Sequence, residues 1–219
     1  MAICYIVGAV PSEPEFEEAN GDLVIAADGG LDSLAAAGIV PDIIIGDMDS
    51  VKMPYSVPGA EVIKVPVEKD DTDTELAVKI AVKRGFKRFV IYGCIGGLLD
   101  HTIGNIALMK GLALGGCRAI FVHDGWGAVG LANSEIHFAD RAEGRISVLS
   151  LSDTSDGVTI KGLKYTLDDK NLPSTVTLGV SNSFIGKNGS IQVKNGVLCV
   201  YTSISNLMNC SDVFDKIPD

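Results

Sequence analysis

Two hydrophobic rhythms divide this chain. Up to about residue 125, apolar runs at 3–9, 23–27, 42–45, 61–65, 89–93 and 118–123 read as strands, and helical patterns fall between them at 31–37, 73–84 and 102–114. Each helical stretch is closed by glycine, at Gly38, Gly85 and the pair Gly115-Gly116. Strands alternating with helices are the signature of βαβ units and hence of a parallel sheet. Beyond about residue 130 the period shortens to two. The runs 135–138, 145–151, 157–160, 190–194 and 197–202 alternate between turn clusters with no helix between them, as in an antiparallel sandwich or barrel. The polar tail from Asn209 onward is expected to fray.

The helix over 73–84 has the best-marked start. Thr72-Asp73-Thr74-Glu75 matches a capping box, and Leu76, Ala77, Ile80 and Ala81 then share one helical face. The 219 residues suit one large domain or two modest ones, and 47% hydrophobic with 21% charged residues can build a core. A formal net charge of -10, with no gathering of the 18 Lys and Arg, argues against nucleic acid as a partner. Five scattered cysteines without a CxxC suggest neither a disulfide framework nor a thiolate zinc site, and several sit in apolar runs as buried thiols. The three histidines show no metal spacing, so any metal is expected to be held by oxygen. No apolar run is long enough to span a membrane and the start carries no basic leader, so a cytoplasmic protein away from membranes is expected.

The acids fall in a telling place. In an open parallel sheet, ligands bind beyond the carboxyl ends of the strands. Asp28 follows the second strand, Asp47 and Asp49 the third, Asp70, Asp71 and Asp73 the fourth, and Asp100 lies in the glycine-rich connection after the fifth. Taken singly, a DGG, a DxDS or a DDTDTE is adequately read as a turn or a solvated helix start. Their joint placement at successive strand ends points instead to one acidic rim. Carboxylates that close raise one another's pKa or bind a divalent cation, and an all-oxygen set suits Mg²⁺ or Ca²⁺. Gly29, Gly30, Gly93, Gly96 and Gly97 remove side chains along the same rim, and two helix N-termini offer free N–H groups there, which argues for a phosphate ligand. ATP could sit among these acids only with Mg²⁺ between them. Neither a Walker motif nor a GxGxxG after the first strand is present.

These residues resemble the bacterial thiamine pyrophosphokinase family. The motifs run in order along nearly the whole chain: Asp28-Gly29-Gly30; Pro41-Asp42 into Gly46-Asp47-Met48-Asp49-Ser50; Lys69-Asp70-Asp71-Thr72-Asp73-Thr74-Glu75; Gly96-Gly97-Leu98-Leu99-Asp100-His101-Thr102; Gly162-Leu163-Lys164-Tyr165; and Val180-Ser181-Asn182. The resemblance implies an α/β protein, with an N-terminal Rossmann-like parallel α/β domain over 1–130 that binds ATP and Mg²⁺. It implies a C-terminal antiparallel β-sandwich over 131–219 that binds thiamine and dimerises. It further implies a homodimer with active sites at the interface, and transfer of the pyrophosphoryl group of Mg·ATP to the thiamine hydroxyl, giving thiamine diphosphate and AMP.

Carried over by motif, the resemblance makes Asp47, Asp49 and Asp73 the metal ligands. Asp71 and Asp100 stand close by, and either could accept the hydroxyl proton. Asp28, Gly29, Lys69, Gly96, Gly97 and His101 fall to the nucleotide side. Ser181 and Asn182 match the thiamine-recognition pair, and Tyr165 is either an aromatic that stacks on the pyrimidine or a core residue at a strand end. Trp126 is expected to pack between the two halves. Where the family usually carries Arg after the paired glycines, this chain has Leu98. Lys69 or Arg84 then substitutes, or ATP is held more weakly, or the nucleotide preference changes. Ser183 stands where the family often has an acid.

Overall fold

A computed structural model of the chain describes residues 2–47, 57–66 and 70–214. Asp49 and Lys69, together with Met48 and Ser50, lie outside the described residues. The chain forms two compact units, residues 1–108 with 121–124, and residues 109–120 with 125–219.

The first unit follows the alternation closely. Its elements run β1 (Cys4–Val7), β2 (Leu23–Ala27), α1 (Gly30–Ala37), β3 (Ile43–Gly46), β4 (Glu61–Lys64), α2 (Asp73–Lys83) and β5 (Arg88–Tyr92), and then the start of α3 (Leu99–Leu114). The strands stand in the order β5-β1-β2-β3-β4, and every pair is parallel. β1, β2 and β3 are buried along their whole length, so they read as continuous apolar runs, as strands covered on both faces do. β4 is an edge strand and largely exposed, with polar residues at both ends. α2 begins where its capping box predicts: the Thr72 hydroxyl accepts from the Glu75 amide at 3.2 Å. α3 starts three residues earlier than its periodicity suggests, which puts Asp100 and His101 in its first turn.

β6 (Arg118–His123) follows α3, and the second unit continues with β7 (Trp126–Ala132), β8 (Glu135–Phe138), β9 (Arg145–Ser150), β10 (Thr154–Lys161), β11 (Leu167–Pro173), β12 (Asn182–Ser183), β13 (Gly189–Gln192) and β14 (Val197–Ser203). Here β12-β9-β14-β7 form one antiparallel set and β11-β10-β13-β8 another. Alternate residues of both sets are buried, Ile146, Val148, Leu198 and Val200 from one and Ile136, Val158, Ile160 and Ile191 from the other. This is the expected sandwich pattern. Trp126, expected between the two halves, stacks on Tyr201 within this unit, ring centroids 5.3 Å apart.

Two short helices, α4 (Ile204–Met208) and α5 (Ser211–Phe214), follow the last strand, so the tail expected to fray from Asn209 onward is folded as far as Phe214. Cys210, Asp212 and Val213 are buried. The Asp212 carboxylate accepts from the His137 amide at 2.7 Å and lies 2.6 Å from His137 Nδ1, while His137 Nε2 stands 3.2 Å from Glu135. That anchor comes from 75 residues away, so no local pattern announces it.

Candidate active site at the carboxyl edge of the parallel sheet

Register brings the site together. The pairings Val7↔Ala26, Val7↔Tyr92 and Ala27↔Ile45 align the carboxyl ends of β1, β2, β3 and β5, so that the residues that follow them share one edge. Asp28 leaves β2 in the left-handed region at φ 50°, a conformation that Asp tolerates better than most residues, while its amide donates to Ile45 O at 2.8 Å. Close approaches of main chain shape the same edge. A Cβ on Gly30 would lie 1.8 Å from Val7 O, and one on Gly93, at φ 62°, would lie 2.4 Å from Gly8 O. These two glycines therefore pack backbone on backbone, which accounts for them without a ligand.

A cavity of about 400 Å³ opens at this edge, lined by Ala9, Val10, Ala27, Asp28, Asp47, Asp71, Thr72, Asp73, Thr74, Gly93, Cys94, His101 and Asn105. Four of the expected acids thus meet around one space: Asp28 after β2, Asp47 after β3, and Asp71 and Asp73 at the head of α2. Asp100 is not among the lining residues. It is exposed in the first turn of α3, where its Oδ1 accepts from the His101 amide at 2.9 Å. Asp71 is joined to Lys79, 2.6 Å from its Oδ1, and Lys79 also reaches Glu75 at 3.0 Å. Hydrogen bonds to Asp71 and Glu75 hold the Lys79 ammonium above its ordinary range. Burial pushes the Cys94 thiol well up, so it lines the cavity as a neutral group and not as a nucleophile.

The glycine-rich segment after β5 is tied to α3. Gly96 donates its amide to Thr102 Oγ1 at 3.1 Å, so this N–H is committed within the protein. Asn105, 7% exposed, donates from Nδ2 to Cys94 O at 2.7 Å. Neither Asn105 nor Thr72 and Thr74 was singled out by the sequence as lining the site. Asn105 lies four residues after His101 and so shares its helix face, which is the signal that could have found it. Leu98 is 66% exposed. Arg84, considered as the replacement cation, is bound elsewhere: it caps the far end of α2 and pairs at 2.5 Å with Glu61, the first residue of β4. It therefore belongs to the amino edge of the sheet, opposite the cavity.

Among the described residues no cluster of three or more His, Cys, Asp or Glu is arranged to hold a metal ion. The donors around the cavity are nevertheless carboxylate oxygens, the chemistry that Mg²⁺ prefers, and they follow strand ends on either side of the segment that contains Asp49. The donor set fits such an ion.

In the second unit two further motifs lie side by side. Leu163 bridges to Phe184, and Lys164 donates its amide to Ser183 O at 3.0 Å. Asn182 is 3% exposed and both ends of its amide group bond to main chain. Its Oδ1 accepts from the amides of Tyr165 and Ser183, both at 2.9 Å, and its Nδ2 donates to Tyr165 O at 2.6 Å. Ser181, at φ 62°, accepts from Arg145 at 2.7 Å. Tyr165 itself is 60% exposed, with Lys164 Nζ 5.4 Å from its ring centroid, so it is not a core residue.

Comparison with known proteins accounts for both units. Residues 17–120 match the thiamin pyrophosphokinase catalytic domain, and residues 133–198 match the thiamin pyrophosphokinase vitamin B1 binding domain. The thiamine pyrophosphokinase of Bacillus subtilis (strain 168) is 29% identical over 190 residues, which cover 83% of this chain and 87% of that protein. A crystal structure of thiamine pyrophosphokinase from Bacillus subtilis aligns with a TM-score of 0.81 at 25% identity, over 93% of this chain and 99% of that one. The thiamin pyrophosphokinase from Geobacillus thermodenitrificans aligns at 0.79 and 27% identity, over 92% and 97%. Because both domains are matched in order and the solved folds superimpose over nearly the whole length, this chain belongs to the thiamine pyrophosphokinase family.

Proposed function

We propose that the protein carries out its family's reaction, transfer of a pyrophosphoryl group from ATP to thiamine with release of AMP. The observation that carries this reading is the convergence of Asp28, Asp47, Asp71 and Asp73 on one cavity at the carboxyl edge of the parallel sheet. In the reaction the thiamine hydroxyl oxygen bonds to the β-phosphorus of ATP, the bond from that phosphorus to the AMP oxygen breaks, and the hydroxyl proton passes to a base. The chain's task is to hold two substrates in line and to balance charge on the phosphates.

Mg²⁺ is the cofactor of this reading, with Asp47, Asp49 and Asp73 as its ligands. When bound it supplies charge neutralisation at the transferred phosphates. Asp28 and His101 shape the nucleotide end, beside Gly29, Gly97 and Lys69. For the base, the cavity position of Asp71 supports it over Asp100, and Lys79 holds one of its oxygens in place. Thiamine falls to the second unit, where the exposed Tyr165 ring offers a stacking face and Asn182 positions it through the main chain. The domain roles follow: ATP and metal on 1–130, thiamine and dimerisation on 131–219, in a cytoplasmic homodimer with active sites at the interface. No described helix is long and apolar enough to cross a membrane.

One assay tests the reading. The protein is incubated with Mg²⁺, ATP and thiamine, and nucleotide and vitamin products are followed together. AMP and thiamine diphosphate in equal amounts, abolished by a chelator, are expected. ADP in place of AMP, or no phosphorylated thiamine, overturns it.

A further inference from the structure

Gly93 and Cys94 line the cavity, and the segment that they open, residues 93–98, cannot hold its own shape. Gly93, Gly96 and Gly97 all sit in the left-handed region, at φ 62°, 95° and 65°. Glycine populates both signs of φ about equally, so three such residues in five leave many conformations to be excluded. The restraint comes from α3. Thr102 Oγ1 accepts from the Gly96 amide at 3.1 Å, and its hydroxyl lies within donating distance of Gly96 O at 3.2 Å and Leu98 O at 3.3 Å. One turn on, Asn105 donates to Cys94 O at 2.7 Å in a buried bond. At spacing i, i+3 the two side chains share a helix face, so together they fasten both halves of the segment to one rigid element.

We propose that Thr102 and Asn105 are positioning residues that set the glycine segment in the form that binds the phosphates of ATP. This rests on the reading above, in which that segment belongs to the nucleotide. The Gly96 amide cannot itself face a phosphate while Thr102 holds it; fixing Gly96 in this way aims the neighbouring Gly97 instead. Asn105 does the same for Cys94 and Gly93, from inside the cavity wall. Preorganised main-chain donors bind an anion without the entropy cost of ordering them. Loss of either anchor should therefore weaken nucleotide binding and leave thiamine recognition, which rests on other residues.

The test compares Thr102→Val, Thr102→Ser, Asn105→Asp and the unaltered full chain. The probe is Mg·ATP alone, its Kd measured by calorimetry without thiamine, followed by KM for thiamine at saturating ATP. Thr102→Val and Asn105→Asp are each expected to weaken ATP about tenfold, the scale of one lost hydrogen bond. Thr102→Ser keeps the hydroxyl and is expected to stay within about twofold of the unaltered chain, as is KM for thiamine throughout. Asn105→Asp sets an acceptor against Cys94 O, so its ATP affinity should recover toward that of the unaltered chain as pH falls and the acid regains a donor proton. A merely structural role would lower only the folded fraction and leave both constants unmoved. That result, equal weakening of both substrates, or an equal loss in Thr102→Ser and Thr102→Val, overturns the proposal. If Asn105→Asp fails to fold, the Thr102 pair decides alone. If the unaltered chain makes no AMP and thiamine diphosphate, the functional reading fails, while the ATP affinities still report on the clamp.

Discussion

The edge of the parallel sheet and the Tyr165–Asn182 corner of the sandwich both carry motif residues, but they use them in opposite ways. At the sheet edge the side chains of Asp28, Asp47, Asp71 and Asp73 line open space. At the corner, Asn182 is buried and its carboxamide makes three bonds to main chain, so that an exposed tyrosine is presented. The first region concentrates like charge around a cavity. The second uses its polar atoms for folding and leaves an aromatic face as its chemistry. Identical prominence in the sequence therefore conceals different physical roles, and mutation should separate them.

The largest effect is expected at the sheet edge. Asp73→Asn should lower kcat by about 10²- to 10³-fold, the usual scale for removing one preorganised charged group at a reacting centre. Its Tm should stay within about 3 °C of the parent, because removing one of several neighbouring acids also relieves repulsion. A variant that retains more than half the AMP production of the parent would take Asp73 out of the reaction.

Asn182→Ala should show the reverse balance. It strands the amides of Tyr165 and Ser183 and the carbonyl of Tyr165, at a cost of about 2 kcal/mol after partial rehydration, which for a chain of this size lowers Tm by about 4–8 °C. Kd for ATP should not move, whereas KM for thiamine should rise as Tyr165 loses its setting. Should Asn182→Ala melt with the parent and change only thiamine binding, the carboxamide would be a ligand group and the contrast between the regions would collapse.

A smaller effect is expected at an aromatic cluster that does not line the cavity. Tyr92, 5% exposed, donates its hydroxyl to Glu15 O at 3.0 Å and packs beside Phe16, which in turn stacks on Tyr5 at 3.9 Å. Burial pushes the Tyr92 hydroxyl up to about 12, and burial likewise raises Tyr5. A folded-state value above the unfolded one means that the stabilisation is complete below about pH 10 and declines as pH rises toward 12. Tyr92→Phe should cost about 1 kcal/mol at neutral pH and make that alkaline decline shallower. Urea unfolding at several pH values up to 11 reads both, and an unchanged alkaline slope would place the sensitivity elsewhere.

Much of the framework was legible beforehand, and the failures have identifiable causes. The fully buried strands β1, β2 and β3 are apolar throughout, and Thr72 caps α2 as its spacing demands. β11 escaped notice because its Leu-Asp-Asp-Lys-Asn-Leu-Pro sequence is polar and mostly exposed; main-chain pairing to β10 holds it as an edge strand. The start of α3 was hidden because Leu98 and Leu99, both exposed, look like core and no capping residue precedes them. Arg84 looked available for phosphate only because a sequence does not reveal which end of the sheet its helix cap will face.

The sequence by itself determined the periods of its elements, the carboxylates at successive strand ends, and the family those motifs resemble, since all of these depend on residues within a turn or two of one another. Tertiary structure decided which groups reach the cavity and which are spent elsewhere. Asp71 lines the cavity and Asp100 does not, and the Gly96 amide and the Asn182 carboxamide are already engaged. The physical reason is saturation: a donor or acceptor has few bonds to give, and the partner that takes them comes from another turn or strand, as Asn182 does for Tyr165 across 17 residues.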